Sequence, residues 1–375
     1  MAGTIINYLE NQGNRSLRDF PLNHVDSLIL CQLAYLKFDG LVPDYRENTP
    51  AVTLTQLYHH PEYEKLYADE RYEKSNRALF EGMLKSRRFR NTKITCYVNI
   101  IEKEWETQFS AVTFLLEDGT IYIAFRGTDE TIVGWKEDVN MAVLYPVPGQ
   151  AYSVKYLNAV SSRISGPFYV GGHSKGGNLA VYSAMNCSPR VQERIIKIYS
   201  MDGPGFRPEV LEECGYRDIA DKIVKIVPHA SLVGMLFEWD DRYQVVESRT
   251  VGLFQHNPYT WLVKNGHFVE TDKIARRSMI VDDTINEWIL SLDEEQMKVF
   301  VEALFQVFEA SQTDNLIDMA ADKKKSLNGM ISALKEVDES TRNMIRSIMK
   351  ALLDTYANER HKSRKKSGKK GHDRS

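Results

Sequence analysis

The stretch "YVGGHSKGGNLAVYSA", residues 169–184, crowds four glycines around one serine between an apolar run and a helix-like pattern. Gly172, Ser174 and Gly176 match G-x-S-x-G at a strand-to-helix junction, which is the context of a nucleophile elbow. Glycines two before and two after the serine let the strand and helix approach without Cβ clashes. The stretch predicts that Ser174 Oγ projects from a strand tip, near a helix N-terminus that favours a developing anion.

Strands and helices alternate around this stretch. Predicted helices cover residues 24–40, a polar and solvated segment at 59–90, residues 150–164 and the segment after Ser174. Predicted strands cover residues 93–98, 110–116, 120–125, 167–172, 195–202, 222–229 and 243–248. This alternation is typical of an α/β fold with a mostly parallel central sheet flanked by helices.

The pattern becomes all-helical after about residue 285 and ends in a basic stretch. We therefore predict an α/β domain at 1–285, a helical C-terminal region at 286–358 and a disordered basic tail at 359–375. The apolar faces of the C-terminal helices favour packing on the first domain or on a second copy, so they provide a route to an oligomer. For the tail we favour a solvated state, and contact with anionic lipid or nucleic acid is the alternative.

Composition excludes several classes of function. The formal charge of −3 over 375 residues gives no overall preference for nucleic acid or membranes. The four cysteines form no C-x-x-C pair, so neither a disulfide framework nor a metal site is expected, and no organic cofactor is implied. No leader-like segment and no apolar window of about 20 residues is found, which predicts a cytoplasmic protein.

A serine nucleophile of this type needs an oxyanion hole and a histidine base. The backbone N–H of Lys175 is the first oxyanion donor, and Thr128, after the strand at 120–125, is the candidate for the second. Three histidines lie between the elbow and the helical region, namely His229, His256 and His267. We favour His256 because it follows the last strand in a polar, aromatic loop.

Three motifs resemble a known family. A strand ending F-R-G-T at Thr128, followed by a tryptophan segment and then the elbow, looks like the class 3 lipase pattern. The G-H-S-K-G-G-N-L-A elbow, D-G-P-G-F from Asp202 and Q-H-N-P-Y-T-W around His256 are closer still to uncharacterised bacterial proteins similar to those lipases. The resemblance covers roughly residues 5–285 and implies an α/β-hydrolase fold. It makes Ser174 the nucleophile, gives the oxyanion hole to Thr128 and Lys175, and sets residues 132–135 in the place of a lipase lid.

The triad acid departs from the lipase pattern. In class 3 lipases an aspartate precedes an I-V-P string, and here that position is Lys225, which cannot orient an imidazolium. Asp202 is the preferred replacement because it follows a strand at the carboxyl edge of the predicted sheet. Asp240 and Asp241 are the reserves.

The sequence thus predicts a serine esterase or lipase-like hydrolase that acts on a small-molecule or lipid acyl ester through Ser174, His256 and Asp202. An acyltransferase or thioesterase would use the same triad. A non-catalytic binding or scaffold protein on a hydrolase fold is the alternative from another class; the missing lipase aspartate favours it, and the intact elbow opposes it.

Overall fold

The computed structural model describes residues 2–68, 72–102, 104, 107–128, 145–238, 240, 242–250 and 252–271, together with the single residues 296, 339 and 343. The lid-position segment 132–135 and Asp241 lie outside the described residues. So do the predicted helical region 286–358, apart from those three residues, and the predicted basic tail 359–375. No described helix is long and apolar enough to cross a membrane.

Eight strands form one sheet in which spatial order follows chain order. The first four pair antiparallel, and the pairs from the fourth to the eighth are parallel. The eight are β1 (Val52–Thr53), β2 (Lys93–Glu102), β3 (Thr107–Leu115), β4 (Ile121–Phe125), β5 (Phe168–His173), β6 (Ile195–Met201), β7 (Ile223–Pro228) and β8 (Tyr243–Val246). A separate hairpin is made by β9 (Val263–Lys264) and β10 (His267–Phe268).

Helices flank the sheet. The α-helices of the described part are α1 (Ile5–Gln12), α2 (His24–Leu33), α3 (Leu54–Tyr58), α4 (Glu73–Lys85), α5 (Pro148–Arg163), α6 (Lys175–Asn186), α7 (Pro189–Arg194), α8 (Pro208–Leu211) and α9 (Cys214–Ile219). Short 3-10 segments occur at Tyr63–Tyr67, Ala220–Lys222, Val233–Met235, Gly252–His256 and Pro258–Thr260. The predicted α/β-hydrolase fold, a mostly parallel central sheet between helices, is confirmed.

The side chains of β4 show how the sheet separates two apolar layers. Tyr122 and Ala124 belong to a core shared with α1, α2 and α4, whereas Ile123 and Phe125 belong to a core shared with α5 and α6. Successive residues of a strand point to opposite faces, so a strand covered on both faces is apolar throughout. All five residues of β4 are buried, as this arrangement requires.

The prediction for residues 59–90 is partly wrong. The segment contains the 3-10 turn Tyr63–Tyr67 and the helix α4 rather than one continuous helix. It is also not simply solvated, because Leu79, Phe80 and Met83 of α4 are fully buried in the core. The abundance of tyrosine and charge in the segment hides this apolar face, which occupies one side of α4 at helical spacing.

A buried ion pair anchors α2. The guanidinium of Arg88 donates to both carboxylate oxygens of Asp26, with Nε at 2.7 Å from Oδ1. Asp26 is fully buried and Arg88 is 2% exposed. Arg88 also donates to main-chain carbonyls, including that of Phe20 at 2.9 Å, so its remaining N–H groups are satisfied. Tyr35 lies two residues after the end of α2, and its hydroxyl contacts His173, so the ion pair also anchors the helix that leads to this contact.

We expect Asp26→Asn or Arg88→Met alone to lower the free energy of unfolding by about 3–5 kcal/mol, because each leaves one buried charge without its partner. The double variant should lose less than the sum of the two single losses. Urea unfolding followed by circular dichroism measures all three. Strictly additive losses would contradict a direct interaction between the two side chains.

Candidate active site

Ser174 occupies the sharp turn between β5 and α6. Its backbone angles are φ 58° and ψ −133°, an unusual conformation for a residue with a side chain. Its N–H donates to the carbonyl of Met201, on the neighbouring strand β6, at 2.9 Å. Strained backbone of this kind persists only where the surroundings hold it, and it is found mainly at functional sites.

Three stretches of main chain meet beneath this turn. A Cβ on Gly172, in β5, would overlap the main chain of Gly176 in the first turn of α6. A Cβ on Gly176 would in turn overlap the carbonyl of Phe125 at the end of β4. Both glycines are therefore required by the close approach of backbones rather than by a positive φ. As predicted from the sequence, Gly172 and Gly176 let the strand and the helix approach each other without Cβ clashes.

Ser174, His256 and Asp202 lie in one hydrogen-bonded row. His256 Nε2 is 3.0 Å from Ser174 Oγ, and His256 Nδ1 is 2.7 Å from Asp202 Oδ2. A carboxylate oxygen accepts a hydrogen bond from Nδ1, and in that tautomer Nε2 is the nitrogen that can accept from the serine hydroxyl. The structure thus brings together the three side chains that the sequence analysis selected from residues as much as 82 positions apart.

Asp202 is fully buried one residue beyond β6, with φ 50°. Its Oδ1 accepts from Ser231 Oγ at 2.5 Å, and its N–H donates to the carbonyl of Ile226 at 2.8 Å. Asn178 of α6 secures the following turn by donating to the carbonyl of Gly205 at 2.9 Å. Asp202 is therefore held at its backbone by β7 and at its carboxylate by Ser231, three residues after β7, while α6 secures the turn that follows it. Sequence reasoning missed Ser231 and Asn178, although Asn178 stands within the elbow motif.

His256 ends the short 3-10 segment Gly252–His256, and its neighbours fix that loop. Gln255 is fully buried and accepts at Oε1 from the N–H of Ala230 at 2.9 Å. Trp261, also fully buried, donates from Nε1 to the carbonyl of Gln255 at 2.7 Å. These contacts give a physical reason for the glutamine and tryptophan of the Q-H-N-P-Y-T-W motif, which the sequence analysis used only as a signature.

The two candidate oxyanion residues lie on either side of the elbow. Lys175 is the first residue of α6, and its buried side chain runs to Gln108 of β3, whose carbonyl and side-chain oxygens both accept from Nζ at 2.8 Å. Thr128 is partly buried, three residues after β4. A Cβ on the adjacent Gly127 would lie 3.2 Å from Ser174 Cβ, so this loop passes directly beside the nucleophile candidate.

The reserve candidates make other contacts. Asp240 pairs with Arg242 at 2.6 Å, and that guanidinium lowers the pKa of Asp240 below its ordinary value. His229 is in contact with the side-chain nitrogen of Gln255, and His267 is exposed on the β9–β10 hairpin.

Lys225, at the position of the lipase aspartate, is buried in an ion pair with Glu238. It lies on β7 beside Ser200 of β6. Burial lowers the pKa of Lys225, and the carboxylates of Asp202 and Asp240 oppose that shift. The lysine therefore fills the lipase position with a buried amine that is paired with Glu238, one strand away from Asp202.

His173, which precedes the serine, was missed as a site residue. It is buried and lies with its ring against that of His256, with centroids 4.6 Å apart. Burial and the proximity of His256 lower the pKa of His173 well below its ordinary value of 6.5. The ring is therefore neutral in the folded protein at neutral pH. Only its place in the elbow, beside the serine, could have singled it out from sequence.

We expect Gly172→Ala to lower the free energy of unfolding by about 3 kcal/mol, because the added methyl group overlaps main chain that cannot move aside. Gly82→Ala on α4 is the matched control. Its Cβ would meet only the flexible end of Leu9, at 2.9 Å, and alanine favours the helix, so the net change should stay within about 1 kcal/mol. Thermal or urea unfolding compares the two, and equal losses would contradict the contact beneath the elbow.

His173 also predicts a dependence of stability on pH. Below about pH 6.5 the unfolded chain binds a proton at this residue and the folded chain does not, so the free energy of unfolding falls as the pH falls, by up to ~1.4 kcal/mol per pH unit. His173→Gln removes this contribution, so the free energy of unfolding of the variant should fall less steeply as the pH drops below about 6.5. His24, whose pKa burial also lowers, is present in both proteins and cancels from the comparison. Parallel curves for the two proteins would refute the assignment.

Comparisons with known proteins find similar solved structures and one family model. The chain is similar to a solved M37 lipase (14% identity, TM-score 0.36, covering 56% of this chain and 68% of that one). It is also similar to the Rhizomucor miehei lipase propeptide complex (17% identity, TM-score 0.35, covering 62% of this chain and 78% of that one). A third similar structure is a lipase from Rhizopus microsporus var. chinensis (15% identity, TM-score 0.31, covering 56% of this chain and 82% of that one). No curated protein matches the chain. A family model does match, over residues 83–306, which include the elbow, Asp202 and His256, and the chain therefore belongs to the Mbeg1-like family.

Proposed function

We propose that the protein is a serine hydrolase that cleaves acyl esters through Ser174, His256 and Asp202. One observation carries the proposal, namely the unbroken row from Ser174 Oγ through both imidazole nitrogens of His256 to the buried carboxylate of Asp202. The same row occurs on unrelated folds wherever a serine is activated for attack on a carbonyl. The chain order of serine, aspartate and histidine is also that of α/β-hydrolases.

In the proposed reaction, His256 Nε2 takes the proton of Ser174 Oγ while the oxygen attacks the ester carbonyl. Asp202 holds the resulting imidazolium through Nδ1 and keeps the ring in one orientation. The tetrahedral intermediate collapses, and the imidazolium gives its proton to the departing alcohol, leaving an acyl-enzyme. Water activated by His256 then adds to the acyl carbon, and the carboxylic acid and free Ser174 are released.

The negative charge that forms on the carbonyl oxygen needs donors close to Ser174. The backbone N–H of Lys175 is proposed as one donor, because it lies at the N-terminus of α6, where the helix dipole favours an anion. Thr128, on the loop beside Ser174, is proposed as the second, through its N–H and hydroxyl. Gly176 lets α6 approach the end of β4 closely, and this approach supports both residues as donors beside Ser174.

An acid at Asp202 is compatible with the absence of an aspartate at position 225. The end of β6 lies beside the end of β7 in a parallel sheet, so a carboxylate there reaches the same edge of the sheet. Asp202 Oδ2 lies 2.7 Å from His256 Nδ1, which supports Asp202 as the carboxylate that orients the imidazole in place of the lipase aspartate. This geometry favours an enzyme over a non-catalytic scaffold.

The first test is covalent labelling of the full-length protein by a fluorescent fluorophosphonate. We expect strong labelling of the wild type and none of Ser174→Ala. His256→Ala should label at least about 10³-fold more slowly, and Asp202→Asn about 10³- to 10⁴-fold more slowly, because the amide favours the wrong tautomer of the imidazole.

Asp240→Asn is the matched control for Asp202→Asn. It makes the same change of carboxylate to amide at a residue that contacts Arg242 and Tyr216 instead of His256, so it should label at the wild-type rate. Undiminished labelling of Asp202→Asn would remove Asp202 from the triad. A folded wild type that resists the probe, with and without detergent, would favour the scaffold interpretation.

A further inference from the structure

His173 links the elbow to the loop that carries the proposed base. We propose that His173 is a positioning residue, which holds the main chain of His256 against the end of β5, and that the hydroxyl of Tyr35 supports the tautomer in which it does so. The inference rests on the proposed function, in which His256 is the base, and it adds a second point of attachment for that residue.

Two hydrogen bonds place the His173 ring. Its Nε2 lies 2.9 Å from the main-chain carbonyl oxygen of His256, and its Nδ1 lies 3.1 Å from the hydroxyl oxygen of Tyr35. The side chain of His173 is 4% exposed, so water does not compete freely for either contact. The row therefore runs from Tyr35, just after α2, through the residue next to Ser174, to the backbone of His256.

The partners determine where the protons lie. A carbonyl oxygen only accepts, so His173 Nε2 must carry the hydrogen that it donates to His256. The neutral ring then has a bare Nδ1, which accepts from the hydroxyl of Tyr35 at 3.1 Å, while the carbonyl oxygen of His173 is a longer second acceptor for that hydroxyl at 3.4 Å. The buried surroundings, which lower the pKa of His173, maintain this neutral form. A charged ring here would also place a second positive charge against the imidazolium that forms at His256 during the reaction.

The arrangement ties the base and the nucleophile to one element. His173 is the last residue of β5, and Ser174 is the next residue of the chain. The carbonyl of His256 therefore contacts the end of the same strand that carries Ser174 Oγ, the atom that the His256 ring approaches. The two rings, tilted by 35° with centroids 4.6 Å apart, also limit the rotation of the His256 ring on one face. His256 itself lies in a 3-10 segment of only five residues, which has little rigidity of its own.

The competing explanation is that His173 only fills space. Substitution by glutamine and by methionine separates the two roles, because these side chains have similar length and only glutamine keeps a nitrogen donor at the end. The variants His173→Gln, His173→Met and Tyr35→Phe would be compared with the wild type for fluorophosphonate labelling of Ser174. The labelling rate at saturating probe and the probe concentration at half-maximal rate are measured separately.

If His173 positions His256, the saturating rate of His173→Met should fall about 10- to 100-fold with little change in the half-saturating concentration, and His173→Gln should recover most of the rate. Tyr35→Phe should show a smaller loss of the same kind. Equal rates for the glutamine and methionine variants, at comparable melting temperatures, would overturn the proposal.

Proton NMR of the full-length protein supplies a readout that does not need activity. The hydrogen that His256 Nδ1 donates to Asp202 should give a far-downfield signal in the wild type and in His173→Gln, and it should broaden by exchange in His173→Met. A wild type that shows this pattern of signals but does not react with the fluorophosphonate would contradict the proposed function and leave the positioning role intact. Identical signals in the two variants would overturn the positioning role, whatever the labelling shows.

Discussion

The contact of three main-chain segments beneath Ser174 is the constraint on which the rest of the site depends. β5, α6 and the end of β4 come so close that neither Gly172 nor Gly176 has room for a Cβ. The chain can pass from strand to helix in this space only through a sharp turn, which puts Ser174 at φ 58°. The same approach brings the first N–H groups of α6 and the loop at Gly127 beside the serine. One packing contact therefore positions the proposed nucleophile and both proposed oxyanion donors.

Asp202, the proposed acid, shows that a carboxylate can move from one strand end to the next in a parallel sheet and still reach the same site. The end of β6 and the end of β7 are neighbours, so a carboxylate on either can approach a histidine that arrives from a later loop. In this chain the β7 position holds Lys225, which Glu238 neutralises. Because a buried unpaired charge is costly, the lysine and glutamate are expected to depend on each other. Asp202 is stabilised separately, by Ser231 and by the backbone contact to β7.

Features encoded by neighbouring residues could be predicted from the sequence, and features made by distant residues mostly could not. The parallel strands, the elbow and the choice of His256 follow from local patterns and from chain order. The ion pair of Asp26 with Arg88, 62 residues apart, has no local pattern, and neither has the contact of Tyr35 with His173. The segment that contains α4 is predicted to be solvated because its average composition is polar, although its buried residues recur at helical spacing.

These long-range contacts compensate for the weakness of the loop that carries His256, the proposed base. Ser174 and Asp202 are each adjacent to the end of a central strand, whereas His256 ends a single short 3-10 turn. A ring on such a turn keeps a 3.0 Å distance to Ser174 Oγ only if its backbone is fixed from outside. Gln255 and Trp261 fix it from within the loop, and His173 fixes it from the sheet. Because the last contact begins at the residue beside the nucleophile, any movement of β5 carries the serine and the histidine together.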